Sequence, residues 1–290
     1  MIGNKIGRRR VSFLPQRRGT FGMKVPFCVQ NMIRLKVHSQ FGYDTFPDNR
    51  PVSGEPYIDV WQDNACIDQE GGIALLLEPR SMIGGAYDYC EQNPERFDYI
   101  FTHDSRILKK PNAWYLNWSD VWICTDSEKT KGISLLCSWK NWCPLHNLRL
   151  ELARHYEGSK KVDVMGTYKN RNAEVSAQAA HEHYRFAIII ENDIDELWFT
   201  EKILNCFATK TVPIYIGATR IDELFNGDGI IQTDPEHIMQ VVDELDIDSY
   251  ESYRFALNDN FERVKRYQTH WRDRFFKDYG ELLQRIQDGS

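Results

Sequence analysis

The segment "YRFAIII" (Tyr184–Ile190) carries one charge and no apolar-polar alternation. A strand with one face in water alternates, so a run like this must be covered on both faces. Eight further segments are candidate strands: "IRLKVH" (Ile33–His38), "YIDVW" (Tyr57–Trp61), "IALLLE" (Ile73–Glu78), "DYIFTH" (Asp98–His103), "ISLLCSW" (Ile133–Trp139), "VDVMG" (Val162–Gly166), "VPIYIG" (Val212–Gly217) and "GIIQT" (Gly229–Thr233). The "YRFAIII" strand itself is expected to run on from Phe186 to Asn192. Helical patterns lie between them, at Leu148–Tyr156, Thr200–Ala208 and Pro235–Leu245. Covered strands alternating with helices specify parallel α/β sheets. The 290 residues suit two such blocks, divided near 145–160. We expect a basic arm over 1–31, a first block over 32–147, a second over 148–250 and helices over 251–290. The tail from Tyr253 reads as long amphipathic helix, free to cross back onto the first block.

Composition narrows the functional classes. Hydrophobic residues are 42% and aromatics 13%, which excludes a disordered chain. Net charge is −6, yet residues 1–24 hold seven Lys/Arg and no Asp/Glu, leaving −13 for the rest. Such an arm is a solvated extension or a contact for a membrane surface. The acidic remainder, and an arm without interleaved aromatics, argue against nucleic acid. No apolar run reaches the roughly 18 residues of a membrane helix, and no secretory signal is visible. Seven scattered Cys, with no C-x-x-C, fit reduced thiols in a cytoplasmic protein. Cys137 and Cys143 are close enough in sequence to pair, but nothing favours it.

The corner after "YRFAIII" carries the chemistry. In open parallel sheets, ligands sit beyond the carboxyl ends of strands, where helices begin. Here a helix opens with Glu201 and Lys202. A helix N-terminus is partly positive, so a lysine there is disfavoured by roughly 0.3–1 kcal/mol. A bound phosphate would reverse that, and the Glu201 carboxylate could accept ribose hydroxyls. Together they describe a nucleotide or nucleotide-sugar site. The alternative is a solvated Glu–Lys pair on an exposed helix face.

Two weaker signals compete. Asp193-Ile194-Asp195 has the D-x-D form that holds a divalent metal and diphosphate, but Asp246-Ile247-Asp248 repeats it in an acidic stretch. His181-Glu182-His183 has the spacing for joint ligation only on a strand, and no third ligand is evident. We expect no metal at either.

The block "YRFAIIIENDIDELWFTEKILNCFATKTVPIYIGA" (Tyr184–Ala218) resembles the donor-binding signature of the α-1,3/1,4-fucosyltransferases, glycosyltransferase family 10. That pattern reads approximately Y-[KR]-F-x-L-x-F-E-N-x, a loop, Y-x-T-E-K-[IL]-x-x-A, then [TV]-[IV]-P-[IV]-x-x-G. Tyr184, Arg185, Phe186, Glu191, Asn192, Thr200, Glu201, Lys202, Ile203, Val212, Pro213, Ile214 and Gly217 match in order and spacing. Fainter likeness extends over about 70–235; residues 1–31 match nothing recognisable.

The resemblance implies the GT-B fold, two Rossmann-like domains facing across a cleft. It implies an N-terminal domain for a glycan acceptor and a C-terminal one for a GDP-sugar, usually GDP-fucose. Transfer would invert the anomeric centre, with protein cations and helix ends, rather than a metal, stabilising the leaving diphosphate. By motif, Glu201 grips the ribose, Lys202 the diphosphate, Asn192 lies beside the donor, and Glu191 orients the loop. Glu78 matches the general base; the alternative is a strand-end carboxylate paired with Arg80. Trp198, expected to bind the donor, stands where the family has a tyrosine able to hydrogen-bond phosphate and offers one indole N–H instead; Ile190 stands where it has phenylalanine. A family arginine for the diphosphate aligns with His146, which would serve if protonated; Arg149, one turn on, could present its fork to the same phosphate and is slightly favoured, and both are candidates for donor binding. Acceptor contacts are expected from Phe41–Pro56 and from a mobile loop at Arg80–Tyr89. A non-catalytic nucleotide-binding protein and a different nucleotide-sugar donor remain alternatives.

Overall fold

A computed structural model describes residues 32–40, 42, 44–173 and 176–289. The basic arm and its expected membrane contact lie outside these residues, as do Phe41 and Tyr43 of the first acceptor loop. The described residues form two five-stranded sheets, and every strand pairing in them is parallel.

The first sheet takes its strands in chain order: β1 (Leu35–Ser39), β2 (Ile58–Gln62), β3 (Ile73–Leu75), β4 (Tyr99–Thr102) and β5 (Ala113–Tyr115). One face holds Ala74, Leu76 and Ile100 against Ile83, Ala86, Tyr87 and Cys90 of α1 (Arg80–Gln92). The other face holds Val60, Ile73, Leu75 and Phe101.

The second sheet has order β10-β9-β8-β6-β7, with β6 (Lys131–Leu136), β7 (Val162–Met165), β8 (Tyr184–Ile190), β9 (Val212–Ile216) and β10 (Ile231–Gln232). The chain leaves β6 for the edge at β7, then crosses back to β8. The switch in direction therefore lies between β6 and β8, and there the connecting helices diverge and open a crevice. Phe186, Ile188 and Ile190 of β8 pack on the side of α2 (Pro144–His155). Ala187 and Ile189 pack on Ile203, Leu204 and Phe207 from the helix after β8. The strand is covered on both faces, as its sequence requires. Three short helices complete this domain: α3 (Ala177–His181) precedes β8, α4 (Glu201–Ala208) follows it, and α5 (Ile238–Glu244) follows β10.

Two expectations are corrected, and the tail is given its helix bounds. The division placed at 147/148 falls inside α2, because β6 already belongs to the second sheet; the chain crosses between sheets over residues 116–130. The loop expected at Arg80–Tyr89 is α1, kinked at Ile83 (φ −132°, ψ 40°), because Ala86, Tyr87 and Cys90 reach the core at helical spacing. The tail is two helices, α6 (Arg254–Val264) and α7 (Trp271–Gln287), separated at 265–270. His270 caps the second, its Nδ1 accepting the Arg272 N–H at 3.3 Å. The tail does cross back: Trp271, Phe275, Phe276 and Leu283 of α7 cover the open face of the first sheet. Buried Arg274 clips the crossover between domains, donating to Asp120 (2.7 Å) and to the carbonyls of Asn117 (3.2 Å) and Ser119 (2.8 Å). Among the described residues no helix is long and apolar enough to cross a membrane.

Candidate functional site

The carboxyl ends of the two sheets face one cleft of about 350 Å³, lined by Glu78, His146, Arg149, Asn192, Trp198, Glu201 and Lys202. All seven residues singled out from sequence meet there.

The corner at α4 explains how a lysine is accommodated. Thr200 is the N-cap. Beneath it lies the Glu191 carboxylate, fully buried. Its Oε1 accepts the Thr200 N–H at 2.9 Å and its Oε2 the Thr200 hydroxyl at 2.7 Å. The Lys202 ammonium donates to Glu191 Oε2 (3.1 Å) and Thr200 Oγ1 (2.8 Å), with Glu201 Oε1 at 3.6 Å. Burial opposes the charge on Lys202, but Glu191 and Glu201 outweigh it and raise its pKa. Sequence reasoning gave Glu191 a role in ordering the loop and missed it as the counterion. An ammonium has three donors. Two are used here, and the side chain is 24% exposed. Gly217 makes room for this arrangement: a Cβ there would sit 2.6 Å from Glu191 Cγ.

At the opposite wall, α2 begins with Pro144 and presents two buried side chains one turn apart. Arg149 Nη2 donates to Asn192 Oδ1 at 2.7 Å, and His146 Nε2 lies 3.1 Å from the same oxygen. The Trp142 N–H points at His146 Nδ1 at 3.1 Å, so Nδ1 is the acceptor and the proton resides on Nε2. Burial, then the nearby Arg149, lower the His146 pKa to about 4. A neutral histidine is not the expected cation, which leaves Arg149 as the buried cation at this wall. Its Nε is buried without a hydrogen-bond partner among the described residues.

Trp198 does not fit the expected phosphate contact. It is 1% exposed, and its indole N–H points to the Leu77 carbonyl at 3.4 Å. The Trp118 N–H reaches the same oxygen at 2.7 Å. Trp198 therefore forms a wall of the cleft and a tie to the first sheet.

Glu78 lies beyond the end of β3, on the first-domain side. Its alternative pairing is ruled out, since Arg80 is engaged by Asp88 (2.6 Å), Glu91 (3.0 Å) and Asp104 (3.0 Å). The backbone of Glu78 is held at both ends: its N–H donates to Asp63 Oδ1 (3.2 Å), and its C=O accepts the Tyr87 hydroxyl (2.7 Å). Burial, then the charge of Asp63, raise the carboxyl pKa, against the opposing pull of Lys202 and Lys140.

The D-x-D carboxylates are occupied by backbone. Asp193 Oδ2 accepts the Ser81 N–H at 3.0 Å, capping α1 from the other domain, and Asp195 Oδ1 accepts the Leu197 N–H at 3.2 Å. Asp248 pairs with Arg185 at 2.9 Å. His181 is buried against the Ala177 carbonyl at 2.7 Å. Cys137 and Cys143 are unpaired.

Two Rossmann-like domains, with cations and helix starts gathered at one carboxyl-end crevice, define an α/β protein of the GT-B kind. The family model described as "Glycosyltransferase family 10 (fucosyltransferase) C-term" matches residues 126–288. That is more than half of the chain, and the protein belongs to this family. A "Putative fucosyltransferase-like protein" of Arabidopsis thaliana is 25% identical over 163 residues, covering 54% of this chain. The match spans 31% of that relative's length. The crystal structure of an alpha1,3-fucosyltransferase with GDP aligns over 90% of this chain and 95% of that one, at 11% identity and a TM-score of 0.49. A T4 phage BGT mutant in complex with UDP-glucose aligns over 80% and 83%, at 10% identity and 0.41.

Proposed function

We propose that this chain transfers a sugar, fucose, from a GDP-sugar to a hydroxyl of a glycan acceptor, with inversion in a single displacement. The acceptor hydroxyl attacks the anomeric carbon as the bond to the diphosphate oxygen breaks. Glu78 takes the hydroxyl proton. Lys202 and Arg149, with the starts of α4 and α2, take up the charge developing on GDP. Glu201 accepts ribose hydroxyls, and Asn192 lies beside the donor. The first domain presents the acceptor and the second the donor. The observation that carries this reading is the cleft itself: a raised-pKa carboxyl free of Arg80 on one side, and two cations on the other.

Nucleotide binding is the first test. GDP at 100 times its dissociation constant should stabilise the protein by about 2.7 kcal/mol, read as a rise in melting temperature. A clear shift with UDP and none with millimolar GDP would replace the donor while keeping the fold. Transfer from GDP-fucose by Glu78→Gln is the second. A general base contributes typically 10²–10⁴-fold, so turnover should fall at least about a hundredfold, with GDP affinity nearly unchanged. Near-parental transfer by this variant would move the base elsewhere. A protein that binds GDP but transfers no sugar to any acceptor would support the non-catalytic reading.

A further inference from the structure

Behind Glu78, beneath the cleft wall, lies a buried carboxylate that no sequence motif points to. Asp63 follows β2 and is 2% exposed. Its backbone is left-handed, with φ 53°. Its Oδ1 accepts two consecutive N–H groups from beyond β3, Leu77 at 2.8 Å and Glu78 at 3.2 Å. Its Oδ2 accepts the Gln62 side-chain amide at 3.3 Å, and that amide is oriented in turn by the Thr45 hydroxyl on Gln62 Oε1. Among the described residues every hydrogen bond to Asp63 comes from a donor, as an ionised carboxylate requires; burial raises its pKa, and these three donors pull the other way.

The residue type is informative. Asparagine adopts a left-handed backbone at least as readily. Its side-chain oxygen would accept the same two N–H groups, and burying it costs far less than burying a charge. What only aspartate adds is the negative charge. That charge lies directly behind the backbone of Glu78. Two like charges in one site favour the protonated form of each, which makes the more accessible carboxylate the stronger base.

The geometry points to Asp63 as a positioning residue for Glu78, holding the 77–78 backbone in place and keeping a second negative charge behind the base. This rests on the reading of Glu78 as the general base. The arrangement around Glu78 is then complete on every side. Asp63 holds its N–H, Tyr87 of α1 holds its C=O, and the Tyr87 hydroxyl is itself steadied by His103 Nε2 at 2.9 Å. Lys202 and Glu201 face it from α4 and Lys140 from the loop after β6. The two lysines make the carboxyl more acidic. Asp63 and burial offset them, so that the carboxylate is basic enough to accept a hydroxyl proton.

The test is the pH profile of kcat/KM for transfer from GDP-fucose in Asp63→Asn, with GDP affinity measured alongside. Asparagine keeps the two backbone contacts and removes the charge. Glu78 works when deprotonated, so rate rises with pH through its pKa. Removing a like charge lowers that pKa, and the acid limb should move to lower pH. The weaker base should lower the plateau on the order of tenfold, with GDP affinity unchanged. An acid limb and plateau that both match the parent overturn the proposal. If the new amide, opposed to Gln62, prevents folding, Asp63→Glu decides. It keeps the charge while displacing the bracket, so its acid limb should stay near the parent's as the plateau falls; a limb moved to lower pH overturns the proposal. Tyr87→Phe loosens the same backbone without a charge change, and should lower the plateau without moving the limb. Glu78→Gln separates the two readings. If it is nearly inactive while Asp63→Asn behaves as parent, only the role of Asp63 fails. If it is fully active, the base assignment fails first.

Discussion

Lys202→Met removes an ammonium that is paired inside the protein and that the proposed function also assigns to the donor. Inside the protein it neutralises Glu191, which is fully buried and retains only the Thr200 N–H and hydroxyl when the lysine is gone. Breaking a buried ion pair on one side costs about 3–5 kcal/mol. The lower end applies here, because the Lys202 side chain is 24% exposed and two donors remain on the carboxylate. Towards the cleft, the proposed function gives the third donor of the same ammonium to a phosphate. A charged hydrogen bond contributes about 1.5–3 kcal/mol, so GDP affinity should fall roughly tenfold to 150-fold. The double variant Glu191→Gln/Lys202→Met separates the roles. It removes the stranded charge and should recover most of the melting temperature, while GDP affinity, measured by titration calorimetry, stays low. Parental GDP affinity in Lys202→Met would refute the phosphate contact. Recovery of affinity in the double variant would show that Lys202 acts only by shaping the corner.

Three further outcomes follow from particular contacts. Burial lowers the pKa of His103 to about 3, and of His146 and His181 to about 4. Against unfolded values near 6.5, the unfolded chain binds more protons below that pH, so stability is full above it and falls as pH drops, by up to about 1.4 kcal/mol per unit for each histidine; a melting temperature flat between pH 7 and 5 would contradict this. Gly217→Ala brings a methyl within 2.4 Å of Tyr215 Oη and 2.6 Å of Glu191 Cγ, and should cost about 1–3 kcal/mol in thermal unfolding and weaken GDP; unchanged GDP binding would show that the Glu191 corner tolerates displacement. Asp193→Ala removes the cap on Ser81 and should cost about 0.5–2 kcal/mol of stability, while EDTA leaves transfer intact; activity abolished by EDTA and restored by manganese would make the D-x-D a metal site.

The sequence by itself determined the local elements of this protein and the residues that line its cleft. Strands such as Tyr184–Ile190 and Val212–Ile216 are legible because burial on both faces leaves no room for polar residues. The helix start at Glu201–Lys202 is legible because a cap and first turn are written in consecutive residues. The strand Ala113–Tyr115 is not, since three half-buried residues carry no period. The glycines at 84 and 85 read as a flexible loop, yet contacts from Ile83, Ala86, Tyr87 and Cys90 to the first sheet make that stretch a helix. Tertiary structure alone decided which charges meet. Glu191 and Lys202 are eleven residues apart, Asp63 and Glu78 fifteen, and Asp193 and Ser81 one hundred and twelve. It also left His146 neutral, turned Trp198 from the ligand to Leu77, and placed the first strand of the second sheet at Lys131. Periodicity reports the face each residue turns to its own neighbours in sequence. Pairing of buried charges depends on distances set by strand order and sheet twist, which no short stretch of chain encodes.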